Sequence, residues 1–124
     1  MSEIADFLRT RIAERRAIAE AASPGPWHAN AEHDEVLAAD GITVAEGFAL
    51  SGKQLRATVD HIATHDPETV TADLDAQLAL VGELDAADPN SGYITATFTA
   101  RDALKVLARP FAGHPDHKGE EWAP

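Results

Sequence analysis

The sequence predicts an α+β fold: an N-terminal helix, a small antiparallel β-hairpin sheet of two to three strands, then three helices packed on one face. Two observations carry this. Apolar residues recur with helical spacing over residues 3–22 and again from Ser51 onward. Between these stretches, the runs 35–39 (EVLAA) and 42–46 (ITVAE) flank Asp40-Gly41, a strong short-range hairpin signal. An isolated hairpin is only marginally stable, so its apolar face is expected to lie on helices.

In the first helix Ile4, Phe7, Leu8, Ile12, Ile18, Ala19 and Ala22 fall within an arc of roughly 140° at 100° per residue. Ser2 is the expected N-cap, and Glu3 and Asp6 suit the positive end of the helix dipole. Ser23-Pro24-Gly25-Pro26 ends the helix, because proline has no N–H to continue the ladder. Trp27 to Asn30 reads as a short strand. In the hairpin a two-residue loop pairs Ala39 with Ile42 and Leu37 with Val44. That face is expected to pack on the helices, leaving Val36, Ala38, Thr43 and Ala45 on the other.

The second helix starts at Ser51, with Gln54 placed for a capping box, and carries the stripe Leu55, Val59, Ile62. Asp66 caps the third helix and Pro67 takes its first position. That helix runs to about Ala86 on Val70, Leu74, Leu78, Val81 and Leu84. Residues 88–92 read as a loop. Residues 93–99 (YITATFT) fit strand or helix. A last helix covers about Thr99 to Ala108, ended by Arg109-Pro110. An irregular tail, 110–124, follows, with Phe111 and Trp122 as its anchors.

The 124 residues suit one domain, 1–124. Ten Lys and Arg against 21 Asp and Glu give a net charge of −11, which argues against direct nucleic-acid binding and against an anionic membrane surface. There is no cysteine, hence no disulfide framework and no thiolate zinc site. No apolar run approaches the ~20 residues of a spanning helix, and the N-terminus lacks the order of a signal peptide. A cytoplasmic location is the expectation.

Three stretches resemble a domain-of-unknown-function family of short proteins from actinobacteria and their phages. Ala22-Ser23-Pro24-Gly25-Pro26-Trp27 is similar to that family's A-T-P-G-P-W. His61-Ile62-Ala63-Thr64-His65-Asp66-Pro67 is similar to its H-I-A-R-H-D-P. Residues 107–116 (LARPFAGHPD), with Glu121-Trp122 beyond, are similar to its L-A-x-P-Y-A-x-H-P and closing E-W. The resemblance implies no established activity. Many members carry cysteines before the last helix that look like metal ligands; here Tyr93 to Thr99 occupies that region.

Two constellations are candidates for function. His61 and His65, one helical turn apart, suit two imidazoles on a divalent metal such as zinc, with His114 and His117 as further ligands from the tail. Against this, the helix lacks the glutamate of H-E-x-x-H, and histidines near a helix end have structural uses. The second is charge. From Ala57 to Gly92 there are eight acids and no Lys or Arg. Asp66, Glu68, Asp73, Asp75, Glu83, Asp85 and Asp88 form an expected acidic face for a protein partner, basic or itself nucleic-acid-binding, with carboxylates standing where phosphates would stand. A solvated acidic surface that aids solubility is the competing reading. Trp27 is expected as a plug at the helix–sheet junction. A homo-oligomer through Val36, Ala38 and Ala45 is compatible with the pattern. No nucleophile elbow, Walker loop or dinucleotide fingerprint occurs. An accessory protein acting by contact is therefore the leading expectation, and a small metal-binding, hydrolytic protein the alternative.

Overall fold

A computed structural model describes residues 2–87 and 99–123. Its elements are α1 (Glu3–Ala21), β1 (His28–Ala29), β2 (Glu35–Leu37), β3 (Thr43–Glu46), α2 (Gly52–Ala63), α3 (Pro67–Ala86) and α4 (Ala100–Ala108), followed by 3-10 turns at Arg109–Phe111 and Gly119–Trp122. This is the α+β order expected, with the strand at Trp27–Asn30 completing a three-stranded antiparallel sheet in the order β1-β2-β3. The expected loop at 88–92 and the ambiguous stretch before Thr99 lie outside the described residues. The chain forms two compact units, one from residues 15–74 and one from 1–14 with 75–124.

In the unit of residues 15–74, β2 and β3 pair as Glu35 with Glu46 and Val36 with Ala45, as a two-residue loop requires, but Leu37 then pairs with Thr43. The slip is a bulge: Ala38 N–H donates to Ile42 O at 2.9 Å, so the turn spans three residues with Gly41 at φ +82°. The extra residue bends the ribbon. The buried face is also the opposite of the one expected. Val36 and Ala38 are fully buried, while Ile42 is 64% exposed and Ala39 lies in the open. Helix α2 packs on β1 and β2 with Val59 buried. Burial of Val36 and Ala38 also removes them from any surface for a second copy. Ser51 precedes α2 with extended backbone but makes no side-chain cap bond, so the expected capping box does not form there.

Asn30 organises the turn before β2. Its Oδ1 accepts from the N–H of Asp34 and Glu35, and its Nδ2 donates to Asp34 Oδ1 at 2.7 Å. This draws Asp34 and Glu35 together opposite Glu46. Glu35 is held above the usual carboxylate range, first by burial, then by the charge of Asp34, then by a hydrogen bond to Glu46. A raised carboxyl pKa means the folded state holds its proton more tightly than the unfolded state. Stability is therefore lost as pH climbs from the unfolded value through the folded one. Glu35→Gln is expected to raise the urea midpoint at neutral pH and to change it little in mild acid. An equal shift at both pH values would contradict the assignment.

In the unit of residues 1–14 and 75–124, Ser2 Oγ accepts the N–H of Ala5 at 3.0 Å, as an N-cap does. Ile4, Phe7, Leu8 and Ile12 of α1 are buried, as are Val81, Leu84, Leu104 and Trp122. Phe7 is the centre of an aromatic cluster. Trp122, Phe111, His114 and His117 all meet it edge to face, with ring centroids 5.1 to 6.0 Å away, the geometry ring quadrupoles favour. Both expected tail anchors thus land on one α1 residue. Helix α4 opens on a full capping box: Thr99 Oγ1 accepts from Asp102 N–H, and the Asp102 carboxyl accepts from Thr99 N–H. Its inward stripe is Ala100, Leu104 and Ala108.

Two large residues of the expected helical stripes face outward. Ile18 is 73% exposed and Leu78 is 40% exposed. Helical spacing places both on the apolar stripe, but a stripe is buried only where another element lies across it.

Candidate functional site

Of the seven carboxylates expected on an acidic face, two are turned inward. Asp66 is 8% exposed. Its Oδ1 accepts Thr69 N–H at 3.0 Å, capping α3, and its Oδ2 accepts Trp27 N–H at 3.2 Å. These bonds hold its pKa below the usual carboxylate range against the opposing effect of burial, the Thr69 bonds contributing most. The Asp85 side chain is 7% exposed. It accepts Ser2 N–H at 2.8 Å and pairs with Arg9 at 3.0 Å, and its pKa is likewise lowered, chiefly by the Ser2 bond. Neither is available to a partner. Glu68, Asp73, Asp75 and Glu83 are exposed on α3, and Asp88 lies outside the described residues. At about 100° per residue, Glu68, Asp75 and Glu83 fall within an arc of about 80° on that helix. Every residue from Asp75 to Leu80 is exposed, Leu78 and Leu80 included.

Of the four candidate histidines, His61 and His65 belong to the unit of residues 15–74, and His114 and His117 to the other. On α2 and just beyond it, the rings of His61 and His65 lie 4.5 Å apart. His65 Nδ1 donates to His61 O at 2.6 Å, which fixes the tautomer and leaves Nε2 as the acceptor. His114 and His117 sit on the Phe7 cluster. His114 Nδ1 accepts Asp116 N–H at 3.0 Å, and the guanidinium of Arg11 stands 2.6 Å from Nε2, a poor neighbour for a second cation. His117 Nδ1 accepts Gly119 N–H at 2.9 Å, and its Nε2 is buried. Among the described residues no group of three or more His, Cys, Asp or Glu side chains is placed to hold a metal ion.

Sequence reasoning missed a cleft in the unit of residues 15–74. Its volume is about 290 Å³, and Arg15, Ile18, Ala19, Ala22, Trp27, His65, Pro67 and Val70 line it. It joins the Ala22–Trp27 turn to the His61–Pro67 stretch. The Asp66 bond to Trp27 is the tether, and the Trp27 indole is fixed in turn by donating from Nε1 to Ser23 O at 2.9 Å. Trp27 is therefore a wall of an open cleft, half-exposed, where the sequence reading placed a core plug. The Glu68 carboxyl lies close over Gly25, where a Cβ would make that side chain move aside. No local signal in the sequence marks this cleft, because its walls come from stretches about forty residues apart.

The architecture is thus that of a small acidic α+β protein with an apolar cleft beside a Pro-Gly-Pro-Trp turn. A family model matches residues 1–124: the chain belongs to the family of unknown function DUF6221. Neither the curated proteins nor the solved structures give a match. Among the described residues no helix is long and apolar enough to cross a membrane.

Proposed function

We propose that this protein acts by contact with another protein, through the outward face of α3. The observation that supports this is the composition of that face. Glu68, Asp73, Asp75 and Glu83 are exposed along α3, and so are Leu78 and Leu80, at 40% and 46%. Carboxylates alone would serve solubility; leucines left among them add apolar area that a partner can bury. The partner is basic, of the kind that binds nucleic acid, and the carboxylates stand where the phosphates of that nucleic acid would stand. The likeness to small phage-encoded proteins fits an accessory role of this type, acting on a host nucleic-acid-binding protein.

Retention of basic, nucleic-acid-binding proteins on the immobilised chain tests the proposal. Wild type is expected to hold specific proteins at low salt and release them at high salt, because the charge attraction is screened. The fourfold reversal Glu68→Lys, Asp73→Lys, Asp75→Lys, Glu83→Lys is expected to lose about tenfold or more of that retention. Retention that ignores both salt and reversal would sink the proposal.

A further inference from the structure

We propose that His61 and His65 form a clamp for one divalent transition ion of the zinc and copper class, with its outer side left open. The clamp is independent of the α3 face. His65 is the better prepared ligand. Its Nδ1 stands 2.6 Å from His61 O. A carbonyl oxygen only accepts, so Nδ1 holds the ring proton and Nε2 presents a lone pair. Metal-binding histidines are oriented in this way, with the second nitrogen donating to a carbonyl or carboxylate. Thr64 Oγ1 donates to the same carbonyl at 2.8 Å. The backbone is held on both sides of the ring. His65 N–H donates to Ile62 O at 3.0 Å, and Asp66 beyond it caps α3 and holds Trp27 N–H. Little freedom remains to be lost on binding.

His61 supplies the second nitrogen. Both histidines are exposed, and their ring centres lie 4.5 Å apart. Two imidazoles on one ion, each nitrogen about 2.0–2.1 Å from it, have ring centres about 4.5 Å apart at a right angle and about 5 Å at a tetrahedral one. The observed spacing is thus that of a shared ion. Among the described residues the His61 imidazole makes no hydrogen bond, so it gives up no partner to bind. Asp60 is exposed next to it and the chain carries −11; Arg15, on the cleft that His65 borders, is an opposing charge. No third side chain joins the pair among the described residues, and this sets the class of site. A structural zinc site closes with four protein ligands. Here the remaining positions fall to water or to a donor brought from outside. Imidazole selects zinc and copper over magnesium and calcium, which take oxygen ligands.

Calorimetry and histidine-ring NMR with Zn²⁺ test this on the full chain, with calorimetry of Cu²⁺, Ca²⁺ and Mg²⁺ in parallel. One Zn²⁺ per chain is expected, shifting the ring signals of His61 and His65 and not those of His28, His33, His114 and His117. Cu²⁺ is expected to bind more tightly than Zn²⁺, and Ca²⁺ and Mg²⁺ not to bind. His61→Ala and His65→Ala, both at exposed positions, are each expected to weaken Zn²⁺ about tenfold or more, with far-UV circular dichroism unchanged. His33→Ala is expected to bind as wild type does. Failure to bind Zn²⁺, equal shifts at the other histidines, or an alanine variant of the pair that binds as tightly as wild type would overturn the assignment. So would one Zn²⁺ for two chains, which would close the site and give the ion to a dimer.

Discussion

Trp122→Ala is expected to cost about 3–5 kcal/mol, the range for emptying a buried indole site. Trp122 is 1% exposed and stands on a single 3-10 turn of four residues. That turn has little to hold it except this ring, which meets Phe7 at 5.1 Å and His117 at 5.2 Å. Among the described residues its indole Nε1 has no hydrogen-bond partner, so truncation strands no acceptor and the loss is almost wholly packing. Trp122→Phe should therefore recover most of it. For a domain of ordinary stability, about 5–15 kcal/mol, the alanine variant loses a large fraction of its folding free energy. Urea unfolding followed by far-UV circular dichroism checks this. A loss under about 1 kcal/mol would show that the tail is not anchored through this ring.

Asp66→Ala is expected to cost about 2–4 kcal/mol. About 1 of this is the lost cap on Thr69 N–H. The rest is the Trp27 N–H, left without its acceptor. The cost depends on pH in a stated direction. The Asp66 pKa is lowered on folding, so its contribution is full above the unfolded carboxylate pKa and is lost as pH falls through the folded one. Wild type and variant should differ most at neutral pH and converge in acid. Asp66→Asn, which keeps a side-chain oxygen able to cap, should lose less at neutral pH. A gap that stays constant across the titration would assign the effect to packing alone.

Both sites show how far the residues speak for themselves. Asp66 is legible as a cap because Asp-Pro at a helix start is local chemistry. Its second bond, to a backbone N–H 39 positions earlier, has no local signal. The expected register holds at Glu35 and Val36 and fails at Leu37, where a bulge and a three-residue turn replace the two-residue loop that the sequence suggests. The buried face is inverted because both faces of this hairpin are apolar. Leu37, Ala39, Ile42 and Val44 compete with Val36, Ala38 and Ala45, and alternation cannot choose between them. Contact with α2 does. Arg11, 6% exposed and held among Glu14, His114 and Asp116, reads in the sequence as one more outward arginine. Its carboxyl and imidazole partners from the tail are about a hundred residues away, beyond any periodicity.

The same division runs through α3, where carboxylates of identical chemistry take opposite duties. Asp66 and Asp85 hold the chain together; Glu68, Asp73, Asp75 and Glu83 face water and are proposed to meet the partner. The decisive measurement is partner retention and unfolding midpoint on two neutralised variants: Asp66→Asn with Asp85→Asn, and Glu68→Gln with Asp73→Asn, Asp75→Asn and Glu83→Gln. The inward pair should lower the midpoint and leave retention by the folded protein intact. The outward four should abolish salt-sensitive retention and leave the midpoint within about 0.5 kcal/mol equivalent of wild type. Outward variants that still hold the partner at low salt would contradict the account.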